Sequence, residues 1–258
     1  MGKRALIVTL IVFAFLLAGV MMFWPDPPPP RKPLPSPNGY DELVKAAALL
    51  GAEAPGFRTN TLDELRWIAE RNTNALAKAR LALALESRVP DDFTPDYLDR
   101  RLNELTAMRQ LAVAFAADAR LAGLDARPSE ALRSSLDAVR LGANSMRGGL
   151  LIARLVGVAC ENVGLDEARR LVGALGTNDC RHGIEVLRAV DSKREPFEAT
   201  VEMERDWVRR TATITEFIGA VVMTRSLDPS GRSASSARGK VLNSQRQTRE
   251  LILALAAR

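Results

Sequence analysis

His182 is the only histidine in this chain of 258 residues, and Cys160 and Cys180 are its only cysteines. Cys180 and His182 form a Cys-x-His pair, to which Cys160 could add a third ligand. Zinc sites usually take four ligands at tighter paired spacings, so no metal ligand is assigned. A cysteine–histidine nucleophile pair needs a third group to orient the base, and none is identifiable. His182 therefore reads as a solvated or capping side chain following Asp179. Two readings stay open for the cysteines. On adjoining predicted helices in an oxidising compartment they could bridge a hairpin, if their Cα atoms lie within about 7 Å. Alternatively they are two separately buried small hydrophobes, which the apolar setting of Cys160 favours.

Glu198, Glu202 and Asp206 recur every four residues and stack on one helical face. Paired carboxylates can hold a cation or run acid–base chemistry across a gap of roughly 5–9 Å. With Arg205, Arg209 and Arg210 nearby, the stripe reads instead as a solvated, ion-paired face. Glu204 differs because it falls near the apolar stripe of Phe197, Val201 and Val208, where a glutamate needs a partner. Arg147, Glu204 and His182 are the residues from which a polar site could be built. Asn72 and Asn144 suit internal polar ties between helices. No phosphate loop, dinucleotide fingerprint or serine-nucleophile motif occurs in the chain. No catalytic residue and no cofactor are assigned.

The elements that must position these residues are helices. Leu, Ala and Arg dominate and aromatic residues make up 5% of the chain, a composition that favours closely packed helices over a sheet. Helices are predicted at Tyr40–Leu50 and from a Thr61/Glu64 capping box to Ser87. A third, capped by Thr94 with Pro95 in its first turn, runs to Ala122 with Gly123 as its stop. Others follow at Ser129–Met146, at Leu150–Val163, between Gly164 and Gly176, from Asp179 to Ser192, and from Pro196 to Met223. Small residues at Ala153 and Gly157 form a ridge that lets another helix approach closely. Arg225–Lys240 has the composition of a mobile loop, and Val241–Ala257 is a final amphipathic helix, apolar at Leu242, Leu251, Ile252 and Leu255. Leu111–Gly142 resembles a tetratricopeptide hairpin, but three regular repeats are not found. The predicted fold is an all-α, irregular bundle of antiparallel hairpins, only weakly tetratricopeptide-like.

Ala5 to Trp24 is a run of 20 residues without a charge. At ~1.5 Å per residue it spans about 30 Å, the thickness of a hydrocarbon core. Bulky Met21, Met22 and Phe23 before Pro25 make a poor cleavage site, and Val20 stands where a lipid anchor would need a cysteine. The segment predicts a retained transmembrane signal anchor. Lys3 and Arg4 nearly balance Arg31 and Lys32 across it; a cytoplasmic N-terminus is the commoner arrangement and implies a single-pass inner-membrane protein with a periplasmic domain. Eight of the 14 prolines lie between Pro25 and Pro37, so the spacer is extended, at ~3.1 Å per residue. The organisation is a tail at 1–4, an anchor at 5–24, a spacer at 25–39, a helical domain at 40–224, a loop at 225–240 and a last helix at 241–258.

The formal charge of +5 comes from the ends of the chain: without Lys3 and Arg4, 34 basic residues face 31 acidic ones, and Arg225–Lys240 carries +3. The helical body is therefore neutral with interleaved signs, whereas nucleic-acid binders concentrate positive charge to displace phosphate counterions. No nucleic-acid partner is expected.

Three stretches, "RWIAERNTNAL" (Arg66–Leu76), "VRLGANSMRGGLLIARLVGVA" (Val139–Ala159) and "REPFEATVEMERDW" (Arg194–Trp207), are similar to an uncharacterised group of bacterial membrane-anchored all-helical proteins. The resemblance implies a shared helical ectodomain and no particular chemistry. The expected role is a non-enzymatic interaction module that meets a protein partner in the envelope. The alternative is an extracytoplasmic enzyme or small-ligand receptor, with a site between the helix near Gly148 and the helix near Glu204. A site should appear as a pocket where Arg147, Glu204 or His182 converge, an interaction module as an exposed apolar groove.

Overall fold

The computed structural model of the chain describes residues 33–51, 61–90, 94, 96–211 and 232–258. Among these residues the fold is all-α, without a strand. Its helices are α1 (Gly39–Ala47), α2 (Leu62–Arg71), α3 (Thr73–Leu83), α4 (Tyr97–Leu124), α5 (Pro128–Met146), α6 (Leu151–Leu171), α7 (Thr177–Ser192), α8 (Phe197–Thr211) and α9 (Arg232–Ala256). No helix among the described residues is long and apolar enough to cross a membrane. The predicted anchor at 5–24, the first part of the spacer and the predicted helical stretch from 212 to 223 lie outside the described residues.

Local side chains decide where the helices begin and end. Asn38 caps α1 by accepting from the Tyr40 N–H at 3.2 Å. The same side chain accepts from the Arg88 N–H at 3.0 Å and donates to the Arg88 carbonyl at 2.9 Å. The Thr61/Glu64 capping box is present at the start of α2. The predicted single helix from Thr61 to Ser87 is broken at Asn72, whose backbone (φ −104, ψ 6) leaves the helical region. The buried Asn72 side chain accepts from the Gly51 N–H at 3.0 Å, a tie to the chain beyond α1 that holds the kink. The helix assigned to Thr94 and Pro95 begins later, at Tyr97.

Gly123 is not the stop of α4, which ends instead in a Schellman-type turn. There the Arg127 N–H reaches the Ala122 carbonyl at 2.9 Å and the Ala126 N–H reaches that of Gly123 at 3.2 Å. Ala126 carries this turn at φ 56, the left-handed region that costs a residue with a Cβ about 1–2 kcal/mol.

Gly164 is another corrected boundary. It does not separate two helices; α6 runs through it without a break. Its purpose is visible across the interface with α5, the most extensive helix contact in the structure. A Cβ on Gly164 would lie 2.4 Å from the Ser135 carbonyl oxygen. One on Gly157 would lie 2.7 Å from the Gly142 carbonyl oxygen, and one on Gly142 would lie 2.4 Å from that of Gly157. Three glycines thus let two antiparallel backbones touch over two turns, more closely than the predicted Ala153–Gly157 ridge requires.

Two apolar clusters flank this seam. Ala138 and Leu141 of α5 and Cys160 of α6 join α1, α3 and α4 around Tyr40, Met108 and Phe115. Leu132, Leu136 and Val139 of α5 with Leu165 and Ala168 of α6 join α7 and α9 through Leu187, Leu251 and Leu255. Each leucine buried here contributes roughly 1.5–3 kcal/mol. The last helix starts at Arg232, so residues 232–240 of the predicted loop are helical. Leu242 is not on its buried face, being 53% exposed, while Val241, Ser244, Thr248, Leu251 and Leu255 are buried.

Three glycine and alanine substitutions separate close approach from mere helix propensity. Gly157→Ala forces a methyl against backbone and should lower the unfolding free energy by roughly 1–3 kcal/mol. Gly239→Ala, at a helical position where nothing lies within 4 Å, should raise it by roughly 0.5–1 kcal/mol. Ala126→Gly relieves the left-handed turn and should also raise it. Urea titrations of the three variants check all signs.

Candidate functional site

Arg154 and Glu161 are seven residues apart on α6, so two helical turns bring them to one face. Glu161 is fully buried. Its Oε2 accepts from Arg194 Nη1 at 2.9 Å and from Ser244 Oγ at 3.0 Å. Arg194 Nη2 donates to Thr248 Oγ1 at 3.1 Å, and Asp191 stands 3.2 Å from both Arg194 Nε and Arg249 Nε. One carboxylate therefore ties α6 to α9 and to the link between α7 and α8. Arg154 holds the rest of that link, with Nη1 on Thr200 Oγ1 at 3.0 Å and Nη2 on the Glu195 carbonyl at 2.5 Å.

The turn between α5 and α6 is secured from two sides. Glu195 Oε2 accepts from the Gly148 N–H at 2.8 Å, and its Oε1 lies 3.6 Å from Arg88 Nη1. Gly148 has φ +72, and a Cβ there would press on the Arg88 side chain at 3.1 Å. The Val89 N–H donates to the Arg147 carbonyl at 2.8 Å, and Ser87 Oγ to that of Asn144 at 3.1 Å. Glu204 finds the partner its position demanded: Oε2 accepts from the Leu151 N–H at 2.8 Å. Leu150, at the cap position of α6, has no side chain that can do this. A carboxylate supplied from α8 satisfies a free amide and faces the positive end of the helix dipole.

A cleft of about 690 Å³ opens between the end of α3, α5 and α7. Buried Arg154 and Glu161, with the largely covered side chain of Arg194, form its floor, and Leu83, Met146, Val186 and Val190 give it an apolar wall. Arg140, Arg147, His182, Glu185 and Lys193 stand at its rim. Arg147 and His182 thus share one cavity, while Glu204 does not line it. The cleft is displaced from the expected place between the helices of Gly148 and Glu204, because Glu204 is spent on the α6 terminus.

Other sequence candidates resolve into structure. His182 is solvent-exposed, and Asp179 accepts from Ser129 Oγ at 2.9 Å instead of capping α7. Cys160 and Cys180 are both free and buried, in different apolar clusters. Glu198 pairs with Arg238 at 3.1 Å and Asp206 with Arg210 at 3.0 Å on a solvated face. Among the described residues no group of three or more His, Cys, Asp or Glu could hold a metal ion.

Burial dominates the electrostatics of the floor. It pushes the Glu161 carboxyl up against the opposing pull of Arg194 and Ser244, and it pulls the Arg154 guanidinium down. Burial also pushes the Cys160 thiol up to about 12. Such a floor has the groups to orient a charged partner, and Cys160 lies apart from it in the apolar core. The floor residues Arg154, Glu161 and Arg194, and Ser244 and Thr248 that hold them from α9, carry no motif that marks them as functional. One signal was present in the spacing of Val241, Ser244, Thr248, Leu251 and Leu255, a helical stripe with two hydroxyls in its middle.

Two measurements follow from these groups. A carboxyl raised above its unfolded value gives stability that is complete below that value, near 4.5 for glutamate, and is lost as pH rises through the folded value. The stability of the native protein relative to Glu161→Gln should therefore fall as pH rises above the unfolded value; a rise would mean that the Arg194 pairing outweighs desolvation. An alkylating reagent should modify neither cysteine in the folded protein and both after unfolding without reductant. No protein-family model, curated protein or solved structure matches the chain.

Proposed function

We propose that the chain is a membrane-tethered, non-enzymatic binding module of the bacterial envelope. In this reading residues 5–24 anchor it in the inner membrane, the proline-rich residues from 25 to 37 hold the helical domain off the bilayer on the periplasmic side, and the cleft between α5 and α7 receives a partner. The observation that carries the reading is the cleft itself, of about 690 Å³, whose floor groups are already fixed by hydrogen bonds. Binding sites of this kind are concave, mostly pre-formed and lined by apolar groups with a few placed charges, at roughly 300–1,000 Å³. The polar lining is dominated by arginine, lysine and glutamate, which suits holding a partner more than transforming it. The alternative of a small-ligand receptor is favoured by one observation: Arg147 and His182 meet in the same cavity.

Site-specific photocrosslinking in cells tests the reading. A photoreactive residue at Val186, in the cleft wall, should yield a discrete envelope adduct. The same residue at Leu124, 63% exposed at the far end of α4, should not. Identical adducts from both positions, or none from Val186, would remove the cleft as the binding face.

A further inference from the structure

Glu161 and Glu195 at the cleft each have an oxygen engaged by protein donors, and the guanidinium groups beside them keep donors that are not. Glu195 is committed to the Gly148 N–H and Arg88, and Glu161 Oε2 to Arg194 and Ser244. Arg154 is 2% exposed, yet the acceptors of its hydrogen bonds are all neutral: the Pro196 and Glu195 carbonyls and the Thr200 hydroxyl. Its Nε is buried without a hydrogen-bond partner, and so is that of Arg147. The ion-pair contact of Arg147 is distant, with Glu86 Oε1 at 4.0 Å. Lys193 and Arg140 add positive charge at the rim, and Glu185 opposes it there. Glu195, Glu161 and Glu198 act on Arg154 only through space, and a buried cation with no charged hydrogen-bond acceptor, beside further donors that lack partners, is costly unless an anion completes it.

We infer that the cleft binds a compact oxyanion, a carboxylate or phosphate, carried on a short apolar body. The charged group sits against Arg147 and Arg154, where planar guanidinium donors suit an oxyanion. The apolar body lies along Met146, Val186 and Val190. Glu161 turns Oε2 to Arg194 and Ser244, so its charge is balanced within the floor, and burial pushes its carboxyl up. The inference rests on the cleft being the binding face, as proposed above, and adds the chemistry of what enters it. The same oxyanion chemistry is offered by a lipid headgroup and by a soluble organic anion.

His182 lines the cleft and is the only histidine of the chain, so its imidazole resonances report on this site alone. Full-length protein in phosphatidylcholine nanodiscs is titrated with phenyl phosphate, with benzoate, and with benzyl alcohol as the neutral control. Saturable movement of the His182 resonances with either anion and not with the alcohol is expected. Arg147→Glu, on the rim and outside the buried network, should weaken that binding at least about tenfold with the remaining amide spectrum unchanged. A second set of nanodiscs containing phosphatidylglycerol separates the sources. Resonances already moved before any addition identify a lipid headgroup, and resonances moved only by phenyl phosphate or benzoate identify a soluble anion. No movement in any anion arm, equal movement with benzyl alcohol, or full binding by Arg147→Glu overturns the inference. Should Val186 capture a partner while no anion moves His182, the oxyanion fails and the binding module stands; should both fail, the cleft is not a binding face.

Discussion

The contact of α5 with α6 at Gly142, Gly157 and Gly164 is the constraint from which the rest of the structure follows. With the two backbones in direct contact, no side chain separates them, and each helix is free to spend its remaining faces on other neighbours. Ala138 and Leu141 serve one apolar cluster while Leu132, Leu136 and Val139 serve the other. A bulkier seam would push the helices apart and open both clusters together, because packed interiors tolerate little added volume. The seam also determines where Glu161 sits, since its Cγ lies 2.7 Å from the position of a Cβ on Gly142. The carboxylate is wedged at the crossing and must find its partners there.

Those partners explain how the later helices dock. Arg194 and Ser244 reach Glu161 from the α7–α8 link and from α9, so both are drawn to the same point on α6. A buried ion pair of this kind adds little net stability, because desolvation offsets most of the attraction. Its effect is on geometry: removing one partner leaves a buried charge alone, so alternative registers of α9 are disfavoured. The floor of the cleft is a product of this arrangement, and the cavity lies where α7 is tied at its end by Arg194 while its wall remains open to α3 and α5. The cleft floor and helix docking thus share the same side chains.

The fold class and most helix positions were legible in the sequence because they depend on local signals. The capping box at Thr61 and the 3.6-residue recurrence of Leu and Ala both act within a few residues. Errors arose where a residue answers to a distant neighbour. Gly164 looks like a stop and is a contact with Ser135; Asn72 suits an internal polar tie and makes one to Gly51, but the break in the helix at that point answers to this distant partner. Glu204 was rightly singled out as a glutamate that needs a partner, but its partner is a backbone amide on another helix. Arg147 and His182 could be named, yet their shared cavity depends on how α5 and α7 cross. Arg154, Glu161 and Arg194 carry no local mark of burial, being charged residues on helices that also have solvated faces.

Native-state hydrogen exchange tests the primacy of the seam most directly, because it ranks the opening free energy of each helix in the intact protein. Amides of α5 from Ser135 to Ser145 and of α6 from Ala153 to Leu165 should exchange only through global unfolding, with protection exceeding that of α1, α8 and α9. Equal or lower protection along the α5–α6 contact than in α9 would contradict the account, and would place the organising interaction elsewhere in the bundle.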